Sequence, residues 1–339
     1  MPHHLRTSST SIDSKIRKTL PRLYAWYRRH HRPLPWRRNP TPYRVTVSEF
    51  MAQQTRMATV LPYYRRWIRR FPNWSCLAQA PRRVVLSHWE GLGYYRRARF
   101  LHELARSVIR RPDRRLPSDP ETLRSLPGIG DYTAGAIASI AFGIAEPAFD
   151  GNVERVLGRL TARRSHALGT KTLRKLAGRL VPEKDPGTHN QAFMELGALV
   201  CLPKNPLCTQ CPFHKVCPSV GKKISTARSQ SKISKIKESI LVIRKGSSVW
   251  LTRQHPQGRW RGLWLLPTSV PSRQNTKPIH RISYPYTRYQ ISAHVFTLSQ
   301  PPTDYPGRWF TLGSLDRIPL PTPHRRIVNT LIMNSNTRL

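Results

Sequence analysis

The sequence predicts an all-α domain followed by a smaller α+β domain, and three observations carry that prediction. Between residue 19 and Leu199, helix-length runs of mixed apolar and polar residues succeed one another. Four cysteines crowd into the seventeen positions from Cys201 to Cys217 and close this half. Beyond a basic stretch, the pattern changes to short β-branched runs separated by turn residues.

The elements follow in chain order. Residues 1–18 read as a disordered basic lead-in, and residues 19–220 as the helical domain. Helical runs cover Val47 to Trp67, Ala80 to Leu86 and Tyr95 to Ile109, with Pro62 expected to break or kink the first. Glu121 to Leu126 and Tyr132 to Phe142 form a helix pair around Pro127-Gly128-Ile129-Gly130, so that helix, glycine turn and helix occupy about 121–142. Asn152 to Leu160, Leu173 to Leu180 and Asn190 to Leu199 extend the series. Residues 221–237 hold six Lys or Arg and no acid before Glu238, the composition of a solvated linker. From 238 to 339, Ile240–Ile243, Val249–Leu251, Gly262–Pro267 and Ile291–Leu298 are predicted strands.

Charge narrows the function class. The chain has 58 Lys and Arg against 17 Asp and Glu, a formal net charge of +41. Such a field calls for a polyanion, and nucleic acid supplies one. A proteome-wide drift toward arginine would raise the same count. No window is apolar enough for a membrane span, and the N-terminus lacks the apolar core of a secretory signal. A cytoplasmic protein is the default expectation.

Four features can carry chemistry. Gly128 and Gly130 expose backbone N–H groups just before a helix, which suits either a phosphate oxygen or an ordinary tight turn. Asp150, before Gly151 and Asn152, reads first as a helix cap. It could equally be a carboxylate that stabilises a sugar cation. Glu49 sits in an apolar stretch, where burial would raise its pKa into the range of a general acid. Gln53, Gln54 and Thr55, just beyond it, can address base edges. Cys201, Cys208, Cys211 and Cys217 can hold a structural zinc or a four-iron cluster, and spacing alone leaves both open.

In this order and separation, these features resemble the MutY-type adenine DNA glycosylases of the helix-hairpin-helix superfamily. Leu34-Pro35-Trp36, Glu49 to Thr55, Gly91-Leu92-Gly93-Tyr94-Tyr95, the hairpin, Asp150-Gly151-Asn152 and the cysteine spacing all match. The resemblance runs from about Leu34 to Cys217 and more weakly to His324. It implies a helix-hairpin-helix glycosylase fold with an iron–sulfur subdomain, followed by an α+β Nudix-like domain. It also implies one 4Fe-4S cluster on the four cysteines, which tips the choice away from zinc. Gly128 and Gly130 would grip the DNA backbone, Asp150 would be the catalytic carboxylate and Glu49 the acid for adenine N7. Trp36 and Arg37 would lie by the adenine pocket. Gln54, Thr55, Leu92 and Tyr94 would contact or wedge the duplex. Endonuclease III relatives carry a nucleophilic Lys where this chain has Tyr132, so no Schiff-base lyase step passes through that position. The resemblance has Tyr132 hydrogen-bond Asp150, with Asn152 helping to orient it. The C-terminal domain lacks the acidic Nudix metal box. The family's Phe-Ser-His turn, which reads 8-oxoguanine, falls by this comparison on Gln290-Ile291-Ser292-Ala293-His294, retaining Ser292.

The expected activity is removal of adenine opposite 8-oxoguanine or guanine in double-stranded DNA by a bacterial, nucleoid-associated monomer. Glu49 would protonate the flipped base, Asp150 would stabilise the oxocarbenium-like sugar, and water would complete the abasic site. The rivals are a thymine or uracil mismatch glycosylase, and a non-catalytic iron–sulfur DNA-binding protein.

Overall fold

The structure is a computed structural model that describes residues 7–161, 165–222, 233–253, 255, 258–269, 277–301 and 306–333. It divides into two compact units. One comprises the chain up to Ala78 and Glu103–Thr226, and the other joins Gln79–His102 to the chain from Ala227 onward. No helix among the described residues is long and apolar enough to cross a membrane.

The helices are α1 (Thr7–His30), α2 (Pro35–Arg38), α3 (Pro42–Ala52), α4 (Met57–Arg70), α5 (Trp74–Gln79), α6 (Arg82–Trp89), α7 (Arg96–Arg110), α8 (Pro120–Ser125), α9 (Asp131–Phe142), α10 (Gly151–Leu160), α11 (Ser165–Leu180) and α12 (Pro186–Leu199). The expected lead-in is corrected here, because Thr7 to Lys18 form the first turns of α1. Ile16, Leu20 and Leu23 recur at helical spacing and are buried against Val156, Leu173 and Leu196 of α10, α11 and α12. Their burial outweighs the polar composition around them. The run from Val47 to Trp67 is two helices, and the break falls at left-handed Gln54 (φ 55°) rather than at Pro62. Pro62 lies on the exposed side of α4, where a carbonyl that loses its helical donor can turn to water.

In the second unit the sheet order is β4-β5-β1-β2-β6, from β1 (Ser234–Lys245), β2 (Ser248–Thr252), β4 (His280–Tyr286), β5 (Tyr289–Leu298) and β6 (Gly307–Thr311), with β3 (Thr268–Ser269) on β1. The β1–β5 pair is parallel, from Ser234↔Tyr289 to Ile243↔Leu298, and the other pairs are antiparallel. Ile240, Val242, Val249, Leu251, Ile291 and Val295 alternate onto the core face, which Ile327 of α13 (Thr322–Ile327) helps to cover. The expected strand at Gly262–Pro267 is instead a turn with one isolated bridge, Thr252↔Leu265, because Trp260 and Gly262 adopt left-handed φ. Of the expected linker, residues 223–232 lie outside the described residues. Ser234 to Lys237 already belong to β1.

The second unit also takes in α6 and the start of α7, which a boundary drawn along the chain does not anticipate. Glu90 accepts from Arg325 and from the Leu320 N–H, and the Tyr95 hydroxyl donates to the Leu320 carbonyl.

Candidate active site

Glu49 lies on α3, a helix buried nearly all round from Tyr43 to Met51, so its carboxyl has little access to water (8% exposed). Burial is the main reason its pKa is pushed up to about 7; the Tyr132 hydrogen bond and Arg37 pull it back, and the charge of Asp150 adds to the rise. Tyr132 sits in the first turn of α9, directly after the Gly130 cap. Its hydroxyl donates to Glu49 Oε2 at 2.6 Å, with Met194 Sδ 3.3 Å away. Burial and the two nearby carboxylates hold the phenol well above its ordinary pKa, so it keeps its proton.

Asp150 is both of the things its local sequence allows. It caps α10, accepting from the Asn152 and Val153 N–H groups on Oδ1 at 2.8 Å each, and from Asn152 Nδ2 on Oδ2 at 2.8 Å. It also lies within electrostatic reach of Glu49 and Tyr132. Burial raises its pKa; the Val153 N–H, Asn152 and the Arg155 charge restrain that rise. The expected bond from Tyr132 to Asp150 is not formed among the described residues. The phenol has one proton, and Glu49 receives it.

Behind Asp150, Arg155 ties the start of α10 to its surroundings. It donates to Asn152 Oδ1 (2.8 Å), the Gly197 carbonyl (2.6 Å) and the Cys201 carbonyl (2.8 Å). Gly197 lets α12 approach this closely, since a Cβ there would meet Asn152 Cβ at 2.6 Å.

Trp36 is buried and packs edge-on to Tyr64, with ring centroids 4.8 Å apart. Arg37 is committed to the protein: Nη2 donates to Glu195 Oε2 at 2.8 Å, Nη1 to the Arg32 carbonyl and Nε to Gln191. It therefore acts on Glu49 through its charge. Glu195, only 1% exposed, also receives Arg32; burial alone would raise its pKa, but the two guanidinium groups hold it at about 2.

Gly128 takes a left-handed φ of 76°, which the turn between α8 and α9 requires. At Gly130 φ is an ordinary −98°, and a Cβ would meet nothing within 4 Å. The described fold itself does not demand glycine there. Gln53 donates to Thr133 at 3.3 Å, Gln54 is exposed, and the Thr55 hydroxyl donates to the Gln53 carbonyl.

Cys201, Cys208, Cys211 and Cys217 are free thiols on one loop, which opens after α12 and turns once at Cys208–Gln210. The Cys211 thiol is pushed up to about 12, first by burial, against the Phe213 N–H, and then by the other three cysteines, so the four are near neighbours. Among the described residues no three ligating side chains converge closely enough for a single ion. The chemistry of the donor set, four thiols on one loop, fits a thiolate-ligated metal centre. Arg159 donates to Cys201 Sγ at 3.2 Å and to the Leu202 and Pro203 carbonyls.

In the second unit, Tyr94 is 48% exposed with φ 48°, whereas Leu92 is buried, so the two expected wedge residues are presented differently. Ser292 stands mid-strand in β5 opposite Ser283, flanked by buried Ile291 and Ala293. The expected turn at 290–294 is therefore strand. The turn itself joins Tyr286 to Tyr289 through Thr287 (φ 51°) and Arg288.

Two family models match the chain: the HhH-GPD superfamily base excision DNA repair protein over residues 47–182, and the NUDIX domain over 239–330. An adenine DNA glycosylase of Mycobacterium tuberculosis is 42% identical over 216 residues, covering 62% of this chain and 70% of that protein. The chain belongs to the adenine DNA glycosylase family. The human adenine DNA glycosylase is 48% identical over 207 residues, 58% of this chain but 38% of the human protein, so the chain spans well under half of that relative. A thermostable thymine-DNA glycosylase structure superposes with a TM-score of 0.56 at 26% identity, covering 62% of this chain and 97% of its own.

In this adenine DNA glycosylase family member, sequence reasoning passed over four residues that contact the candidate site: Arg155, Met194, Glu195 and Gly197. The available signal was an acid in the apolar run Ala192 to Leu199, where an unpaired charge is costly.

Proposed function

We propose that this chain is a monofunctional adenine DNA glycosylase that hydrolyses the N-glycosidic bond of adenine mispaired with 8-oxoguanine or guanine. It acts as a monomer on double-stranded DNA, in the cytoplasm at the nucleoid. The observation that carries the reading is a pair of carboxylates in different environments. Glu49 is buried with a pKa of about 7, and Asp150 is held at a helix N-terminus by three hydrogen bonds.

That pairing divides the chemistry. Protonated Glu49 donates to N7 of a flipped adenine and makes the base a better leaving group. As the bond breaks, positive charge develops on the sugar, and Asp150 stabilises it. Asn152 and the start of α10 position Asp150, while Tyr132 positions Glu49. Once deprotonated, Glu49 can take a proton from the attacking water. Tyr132 offers no amine, so no Schiff base forms there. Gly128, Gly130 and the arginine-rich surface hold the phosphates, and Tyr94 with Gln54 and Thr55 contacts the opened duplex.

Opposite-base readout fits the Tyr286–Tyr289 hairpin tip better than Ser292, because the tip lies beyond the last strand pair whereas Ser292 is paired with Ser283 within the sheet. Cys201, Cys208, Cys211 and Cys217 would hold one 4Fe-4S cluster. Bound there, the cluster supplies a structural cross-link for the loop and not bond cleavage. Iron and zinc analysis with visible absorption tests this; a colourless protein with stoichiometric zinc refutes it.

The decisive experiment is single-turnover excision on a panel of mispairs. Adenine opposite 8-oxoguanine should be cut fastest, and Asp150→Asn should abolish cutting. Preferential release of thymine or uracil would transfer the chain to the mismatch-thymine reading.

A further inference from the structure

The loop Gly91-Leu92-Gly93-Tyr94 is stiff. Gly91 (φ 100°), Gly93 (φ 70°) and Tyr94 (φ 48°) all take left-handed backbone. Trp89 Nε1 donates to the Gly93 carbonyl at 3.0 Å. Buried Arg97 donates to the Leu92 and Gly93 carbonyls at 3.2 Å each and lies 5.3 Å from the Tyr94 ring centroid. A loop of this kind moves as a body, and its two flanks decide where it points.

Both flanks grip the same short segment. On one side, Glu90 Oε1 accepts from Arg325 Nε at 2.6 Å, and Oε2 accepts from Arg325 Nη2 and the Leu320 N–H at 3.2 Å each. On the other, the Tyr95 hydroxyl donates to the Leu320 carbonyl at 3.1 Å. Both side chains of the ion pair are only 16% exposed, so water screens it weakly. Arg325 is itself anchored by the Leu315 and Ile318 carbonyls, at 3.0 and 2.7 Å. The β4–β5 hairpin belongs to the same compact unit.

We propose that Glu90, clamped by Arg325 and Leu320, is a specificity-determining positioning residue that makes the Tyr94 loop answer to the hairpin that meets the opposite base. This rests on the adenine glycosylase reading above. When the hairpin docks on 8-oxoguanine, the clamp carries that docking to Tyr94 and drives the aromatic ring into the stack. Opposite plain guanine the hairpin docks poorly, and the clamp has little to transmit.

The test uses the full chain and two duplexes, with adenine opposite 8-oxoguanine or opposite guanine. Single-turnover excision is measured, and 2-aminopurine in the adenine position reports unstacking. Glu90→Ala is the informative variant. The side chain lies beyond the end of α6, and its loss leaves the carbonyl bonds of Arg325 in place. Excision and unstacking opposite 8-oxoguanine should fall about tenfold, and opposite guanine less than about twofold. Glu90→Gln, which keeps a hydrogen-bonding oxygen, should fall between wild type and Glu90→Ala. Tyr95→Phe should weaken the same preference independently. An unchanged preference in Glu90→Ala, or an equal loss on both duplexes, overturns the inference. Failure of the wild-type chain to excise adenine from either duplex would instead strike the underlying reading, and would be seen before any variant is made.

Discussion

Tyr132 gives its hydroxyl proton to Glu49 at 2.6 Å, while Asp150 is held by Asn152 and the first turn of α10. Each carboxylate thus has its own positioning group. Burial raises both carboxylates; at Glu49 it carries the pKa to about 7 against one hydrogen bond, while at Asp150 three hydrogen bonds and the Arg155 charge restrain the rise.

The acid role has a pH signature. Glu49 is protonated below about 7, so the single-turnover excision rate should fall as pH rises through that value. Tyr132→Phe removes a bond that lowers the Glu49 pKa, so the fall should move to higher pH. A limb that stays in place in this variant would assign Tyr132 to another group.

Stability should carry the same group with a defined sign. The folded pKa of Glu49 lies above its ordinary 4.5, so the native state binds the proton more tightly than the unfolded chain. Ionising Glu49 therefore weakens the fold as pH climbs from about 4.5 to 7, by on the order of a few kcal/mol. Glu49→Gln, which can still accept from Tyr132, should match wild type below that window and exceed it above. Denaturant titrations at both ends of the window measure the difference. A gap that does not grow with pH would remove burial as the cause.

Asp150 separates cap from catalyst. Asn caps helices about as well as Asp, so Asp150→Asn should abolish excision at little cost in stability. Asp150→Ala should also lose about 1 kcal/mol from the missing cap. Urea denaturation beside single-turnover kinetics distinguishes them. Equal instability of the two variants would mean that the carboxylate charge, not the cap, supports the helix.

Local signals reached far into this site. Glycines at 128 and 130 marked the hairpin, the cysteine spacing marked the loop, and a lone acid in an apolar run marked Glu49. What stayed hidden depends on partners distant in sequence. Nothing near Tyr132 says whether its proton goes to Glu49 or Asp150, because that choice is made where α3, α9 and α10 meet. Thr7 to Lys18 stayed hidden because the partners that bury Ile16 come from α10, α11 and α12, far along the chain. Ser292 misled because a residue match ignored strand register, which puts the turn five residues earlier, at Thr287.

Glu195 anchors the charge beside the pocket. Its pKa of about 2 lies below the ordinary 4.5, so its contribution is complete above 4.5 and is lost as pH falls toward 2. Glu195→Gln leaves Arg32 and Arg37 without their carboxylate and should cost about 2–3 kcal/mol at neutral pH, less than a fully buried pair because Arg32 is partly exposed. The gap to wild type should close in acid. Guanidinium denaturation at neutral pH and near pH 3 reads both. A gap that persists in acid would point to lost packing instead of lost charge.

Gly197 is the most severe test of how tightly Asp150 must be placed. A Cβ at this position would fall 2.6 Å from Asn152 Cβ and 3.1 Å from the Asn152 Cα and carbonyl oxygen. Those atoms are backbone or next to it, so Gly197→Ala has no flexible side-chain tip to push aside. The start of α10 must shift, and Asp150, two residues from Asn152, shifts with it. Alanine favours helix over glycine by about 1 kcal/mol, which offsets part of the strain in the stability measurement. It does nothing for the position of the carboxylate, where a displacement on the order of 1 Å costs about a hundredfold in rate. Gly197→Ala should therefore lose excision far out of proportion to its change in denaturation midpoint, with duplex affinity largely kept. Wild-type single-turnover rates in this variant would show that the α10–α12 contact tolerates movement and that Asp150 is not held by it.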